Sequence, residues 1–215
     1  MAQQQETQGR SAFFYGTLMA PPILHRVIHG SSSQDNPIYT THNIHTTPAI
    51  LHNYRRHRVR YADYPAILPH AASTVRGTYV SGLTDADVGR LDVFEGGEYV
   101  RRVVRCRVLG GQAGEGSGNG DGMVEGEEVE AETYVWIAGE EQLEEGEWDF
   151  EEFKREKMRF WSGEQGENEY AGVDEAAATR EGGHDGTGGR GVNGHITTAL
   201  EVQRSEADEV VLNAV

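Results

Sequence analysis

The stretch Leu91-Asp92-Val93-Phe94-Glu95-Gly96-Gly97-Glu98-Tyr99 decides how this chain is read. Just upstream, Leu83-Thr84-Asp85-Ala86-Asp87-Val88 has the form of a helix start. Thr84 can cap the first turn, Asp87 can return the bond, and Leu83 can pack on Val88 as a hydrophobic staple. Val88, Leu91 and Phe94 then recur on one face, and Gly96-Gly97 ends the helix. Glu95 therefore falls at a helix C-terminus. The negative end of the dipole and burial beside Phe94 should raise its pKa toward the range a general base needs near neutral pH. The same placement also describes a solvated glutamate in a C-cap.

Outward from this helix the pattern turns to strands. On the C-terminal side, Arg102, Val104, Cys106 and Val108 alternate with Arg101, Val103, Arg105 and Arg107, and Ala131, Thr133, Val135 and Ile137 give a second alternation. Between them, residues 110–130 are rich in Gly and Glu and read as a flexible acidic loop. A last helix is expected over 147–161, with acidic residues in its first turns and basic ones in its last, the order that suits the dipole. On the N-terminal side, 75–82 reads as a strand and Tyr64-Pro65-Ala66-Ile67 as a turn back into the sheet. Residues 50–64 form a strand region whose basic run, Arg55 to Arg60, reads as a solvated face. Residues 30–48 are turn-rich and read as a loop. Ahead of it, Pro21-Pro22 opens a short helix with Ile23, Leu24, Val27 and Ile28 inward. Residues 11–16 form a short buried strand.

That first strand ends in Phe14-Tyr15-Gly16-Thr17-Leu18, a strand running through a glycine turn toward a helix. Such a turn leaves backbone N–H groups that can hold a carboxylate or a developing oxyanion, although alone it is equally an ordinary connection. Tyr99, Arg101, Arg102 and Tyr134 add basic and aromatic material near these two places; Tyr134 alone also reads as a core residue with its hydroxyl at the rim. His42 and His45 are spaced like ligands but no partner motif follows, and Cys106, among valines, reads as a core thiol.

Composition bounds the function. Of 215 residues 37% are hydrophobic, concentrated between Phe13 and Trp161, which predicts one core with polar appendages. The expected organisation is a disordered N-terminus (1–10), one domain (11–162) and a mostly disordered tail (163–215), with a weak helix possible in its last twenty residues. A formal net charge of -16 disfavours nucleic acid and anionic lipid surfaces as partners. The single cysteine excludes an intrachain disulfide and a thiolate metal cage. No run is long enough to span a bilayer as a helix and no signal core opens the chain, so a cytoplasmic protein is expected.

Taken together and in order, Tyr-Gly-Thr-Leu at 15–18, Tyr-Pro-Ala-Ile at 64–67, Val-Arg-Gly-Thr-Tyr at 75–79 and Leu-Asp-Val-Phe-Glu-Gly-Gly-Glu-Tyr-Val-Arg-Arg at 91–102 resemble the γ-glutamylcyclotransferase-like superfamily, and within it the AIG2-like branch known from plants and fungi. The resemblance covers roughly 13–161. It implies an α+β fold built on a small six-stranded, barrel-like mixed sheet with flanking helices. It also implies that Tyr15, Gly16, Thr17 and Leu18 bind substrate, that Glu95 is the catalytic glutamate, and that Tyr134, with Tyr99 nearby, lines the same cavity. The implied reaction is release of 5-oxoproline from a small γ-glutamyl amine or peptide, with no metal or organic cofactor. A non-catalytic small-molecule or protein-binding member of the same fold is the alternative. The acidic loop and the tail have no counterpart in the family core.

Overall fold

The computed structural model describes residues 9–30, 41–110 and 123–162. Five strands carry the fold: β1 (Arg10–Phe14), β2 (His45–Arg58), β3 (Pro65–Leu83), β4 (Tyr99–Gly110) and β5 (Val124–Trp136). They close on themselves in the order β1-β3-β2-β4-β5. Among the described residues they are accompanied by helices α1 (Pro21–His29), α2 (Asp85–Glu95), α3 (Phe150–Glu156) and α4 (Met158–Ser162). The class is α+β, as expected; the described residues form five strands, where the resemblance implied six. β3 is longer than the sequence pattern suggested. The segment expected as a turn at 64–67 and the separate strand at 75–82 are one continuous strand of 19 residues. It pairs with β2 from Arg58↔Pro65 to His45↔Ser81, and the register jumps where His52 faces Thr74 and Tyr54 faces Pro69. Residues 70–73 bulge out of the ladder there, with Asn53 and Ala72 both at positive φ. A bulge of this kind bends a ribbon without ending it, so the expected turn and the expected strand belong to one element.

Two further sequence expectations shift. Residues 45–48, expected in a loop, begin β2. The flanks of the acidic segment are strand: Gly110 pairs with Val124 and Arg107 with Glu128. Across this hairpin Arg105 faces Glu130, so the glutamates are matched to the arginines of β4. The slip between Arg107 and Leu109 turns Leu109 inward in place of Val108. The expected helix over 147–161 starts at Phe150, capped by the Asp149 side chain, which accepts from the amides of Glu151 and Glu152, and it breaks at Lys157 into α3 and α4. The expectations for 1–8, 111–122 and 163–215 lie outside the described residues.

Burial divides the core in two. Phe13 and Tyr15 point into the ring with Leu51, Ile67, Val75 and Cys106. Ala12 and Phe14, on the opposite face of β1, join the helices' apolar residues: Ile23, Leu24 and Val27 of α1, Val88, Leu91 and Phe94 of α2, and Phe153 and Trp161. The period of two along β1 thus feeds both layers. The Thr84–Asp87 capping box forms as expected, with Thr84 Oγ1 accepting from the Asp87 amide at 3.2 Å and the Thr84 amide donating to Asp87 Oδ2 at 2.7 Å.

The ring closes weakly at one seam. β1 and β5 are parallel neighbours with one paired position, Ala12↔Glu132. Beyond it side chains bridge the gap: Thr133 Oγ1 donates to the Phe13 carbonyl at 2.8 Å and the Tyr15 hydroxyl to the Tyr134 carbonyl at 2.7 Å. Where the backbone ladder stops, the two strands leave room for a cleft.

Candidate active site

A small open cleft lies at this seam. It is lined by the end of β1 and the turn after it, Phe13 to Leu18, together with Tyr64, Pro65, Glu95, Tyr99 and Tyr134. Every residue that the sequence singled out by resemblance therefore meets here, from four separate segments. Arg101 and Arg102 do not: Arg101 Nε lies 3.3 Å from Asp92 Oδ1, and Arg102 is exposed on β4.

The turn is built by a close approach. Gly16 has φ -128° and ψ -140°, in neither the helical nor the extended region, and it also sits against a neighbouring ring. A Cβ at position 16 would sit 2.8 Å from Pro65 Cγ and 2.9 Å from Cδ. After Gly16 the chain makes one short 3₁₀ turn, Thr17–Met19, held by the Met19 amide to the Gly16 carbonyl and the Ala20 amide to the Thr17 carbonyl, both at 3.0 Å. Those bonds begin at Met19. The amides of Gly16, Thr17 and Leu18 have no backbone acceptor among the described residues, which is the usual state of donors at the start of a helical turn.

Glu95 is the last residue of α2 and is half-buried, with Gly96 after it at φ 70° turning the chain away. Among the described residues lining the cleft it is the only one with a carboxyl side chain. Tyr134 is 5% exposed, and its hydroxyl donates to Asp92 Oδ1 at 2.9 Å. Burial, followed by the nearby charges of Glu95 and Asp92, holds that phenol firmly protonated. The Tyr99 hydroxyl donates to the Pro65 carbonyl at 2.9 Å, so Tyr99 offers the cleft its ring. Tyr15 likewise directs its hydroxyl at the Tyr134 carbonyl. Glu98, the neighbouring carboxylate, accepts from the Tyr64 hydroxyl at 3.1 Å. Among the described residues no group of three or more His, Cys, Asp or Glu side chains is arranged to hold a metal ion, and no helix is long and apolar enough to cross a membrane.

Two features escaped the sequence reading. Arg56, taken as part of a solvated face, is only 11% exposed in its side chain, and its Nη1 donates to the Tyr15 carbonyl at 3.0 Å. His42, set aside as a coincidence, has Nδ1 2.7 Å from His29 Nε2 and Nε2 3.3 Å from Asp87 Oδ2, linking α1 to the start of α2. The only advance signal for Arg56 was its place two residues from Tyr54 and Arg58 on one strand face. That spacing cannot tell a wet cation from a buried one.

Residues 12–150 match the family described as gamma-glutamyl cyclotransferase, AIG2-like. The protein AIG2 C of Arabidopsis thaliana is 29% identical over 152 residues, which cover 69% of this chain and 74% of that protein. A solution structure from Arabidopsis thaliana superimposes with a TM-score of 0.47 at 25% identity, covering 77% of this chain and 91% of its own. A structure named gamma-glutamyl cyclotransferase does so with a TM-score of 0.42 at 15% identity, covering 64% and 69%. The family match runs from Ala12 in β1 to Phe150 at the start of α3 and includes every residue lining the cleft; the chain belongs to the AIG2-like gamma-glutamyl cyclotransferase family.

Proposed function

We propose that this protein is a γ-glutamylcyclotransferase-type enzyme, releasing 5-oxoproline from a small γ-glutamyl amine or peptide with Glu95 as general acid/base. The observation that carries the reading is that one cleft is lined by Glu95 and by Gly16, Thr17 and Leu18, whose amides have no backbone acceptor among the described residues. The reaction needs both. Ionised Glu95 takes a proton from the substrate's α-ammonium. The amine nitrogen then attacks the γ-carbonyl carbon, a C–N bond forms, and the carbonyl oxygen becomes an oxyanion that the turn's amides stabilise. Collapse breaks the original C–N bond as Glu95 passes its proton to the departing amine, and the ring nitrogen, cationic after attack, gives its second proton to the regenerated carboxylate, which passes it on so that the amine leaves as an ammonium. Holding the substrate folded back on itself supplies the proximity. The rings of Tyr64 and Tyr99 and the buried side of Tyr134 shield the reacting atoms from water. The protons and bonds balance without a cofactor.

The test is 5-oxoproline release from a panel of γ-glutamyl peptides and amines by wild type, Glu95→Gln and Glu98→Gln. Glu95→Gln keeps size and reach and removes the base, so turnover should fall on the order of a hundredfold or more with binding largely kept. Glu98→Gln keeps an acceptor for the Tyr64 hydroxyl and should stay near wild type. Equal rates for wild type and Glu95→Gln would remove the mechanism. Binding of 5-oxoproline by a wild type that turns over nothing would favour a non-catalytic binding member.

A further inference from the structure

The guanidinium of Arg56 reaches the substrate turn from behind. It lies 5.6 Å from the centre of the Trp148 ring, and its Nη2 donates to Glu147 Oε1 at 2.9 Å. Nη1 donates to the Tyr15 carbonyl at 3.0 Å and, more weakly, to the Arg76 carbonyl at 3.4 Å. Nε is buried with no hydrogen-bond partner. The group is thus held where its two Nη atoms are satisfied, at the expense of its third nitrogen. The peptide that Arg56 grips joins Tyr15 to Gly16. It is planar and trans, as are all peptide bonds among the described residues, so its C=O and N–H point in opposite directions. A donor fixed on the Tyr15 oxygen therefore fixes the direction of the Gly16 N–H on the far side. A cation on a carbonyl also polarises the peptide and strengthens its N–H as a donor.

We infer that Arg56 is a positioning residue that aims and polarises the Gly16 amide for the anionic group in the cleft. This rests on the proposed role of the turn as an oxyanion and carboxylate cradle. Arg56 itself does not line the cleft and acts through the Tyr15–Gly16 peptide. The arrangement gives the turn a rigid support. The cation comes from β2, and its counter-charge and stacking partner come from Glu147 and Trp148, in the segment before α3. A lysine would keep the charge but lose the fork that reaches Tyr15 and Glu147 together.

The experiment uses the ¹⁵N-labelled full chain as wild type, Arg56→Met and Arg56→Lys, all below their melting temperatures. Its probe is 5-oxoproline. In Arg56→Met the ligand-free Gly16 amide resonance should move, because the bond to the preceding carbonyl is gone. Affinity for 5-oxoproline should fall about tenfold to a hundredfold, the range for losing a charge-assisted hydrogen bond, and release of 5-oxoproline should lose mainly kcat. Arg56→Lys should recover part of each. A purely structural arginine would lower the melting temperature without moving kcat or the Gly16 resonance. An unmoved Gly16 resonance, or unchanged affinity and kcat in Arg56→Met, overturns the inference and leaves the Glu95 proposal standing if Glu95→Gln still abolishes turnover. A wild type that neither binds nor releases 5-oxoproline overturns both.

Discussion

Replacing Gly16 by alanine isolates the contact that shapes the turn. The φ of Gly16 is negative, -128°, so the new methyl group's contact with Pro65 is the part of the effect worked out below. Its carbon would lie 2.8 and 2.9 Å from Pro65 Cγ and Cδ, whereas carbons rest at about 3.5–4.0 Å, so roughly 0.7 Å of separation must be found. Pro65 has little to yield. Its ring fixes φ, its carbonyl accepts from the buried Tyr99 hydroxyl, and it pairs with Arg58 across β2 and β3. The turn moves instead. Overpacking of this kind costs about 1–3 kcal/mol, and the entropy that alanine removes from the unfolded chain offsets about 0.4–1 kcal/mol of it. The net loss is then roughly 0.5–2 kcal/mol, or a Tm lower by about 2–4 °C per kcal/mol. Function should suffer more than stability, since sub-ångström displacement of a positioning element can cost up to about a hundredfold in rate. Thermal melts and 5-oxoproline release would be read for Gly16→Ala, Pro65→Ala and the double variant. The two sites touch, so their effects should be non-additive by about 0.5 kcal/mol or more, with the double variant recovering stability relative to Gly16→Ala. A Gly16→Ala protein with wild-type Tm and rate, or strictly additive effects, would refute the close-approach argument.

Three further expectations follow from the same geometry. Burial, then the neighbouring His25 and His42, push His29 down to about 4 from an ordinary value of 6.5, so the unfolded chain binds the extra proton between those values and stability should rise with pH from about 4 to 6.5; the slope of Tm against pH in that window should flatten in His29→Gln. The Cys106 thiol is fully buried and pushed up to about 11, so at pH 8 it should resist a thiol reagent while folded and react on addition of denaturant; rapid labelling of the native protein would contradict its place inside the ring. Thr84→Ala removes the cap at the start of α2 and should cost about 1 kcal/mol in a denaturant melt with little change in kcat, because Glu95 sits at the other end of that helix.

The α2 segment was legible because its signals are local. A capping box needs three residues and a C-terminal glycine two, and each reports a bond formed within a turn of chain. That was enough to put Glu95 at a helix end. The same holds for the proline-led α1 and for the alternation of β4. The length of β3 was not legible, because Tyr64-Pro65-Ala66-Ile67 looks in sequence like a turn and the bulge at residues 70–73 breaks the pattern between it and the strand that follows. Only the resumption of pairing with β2 shows that β3 continues. Nor could the sequence weigh the basic run of β2. Four residues in a row, Arg55 to Arg58, are basic, and which of them is buried depends on Trp148, about ninety positions away, folding over Arg56.

By itself, then, the sequence determined the elements that local hydrogen bonding and periodicity dictate, and through motif order it pointed to Tyr15, Gly16, Thr17, Leu18, Glu95, Tyr99 and Tyr134. Tertiary structure alone decided that these residues share a cleft, because the cleft exists only where β1 and β5 stop pairing after Ala12 and Glu132. It also decided why position 16 must be glycine and which arginine stands behind it. Both answers lie in contacts between segments far apart in the chain, Gly16 against Pro65 and Arg56 against the Tyr15 carbonyl, and spacing along a single strand or helix carries no record of what packs against it from elsewhere.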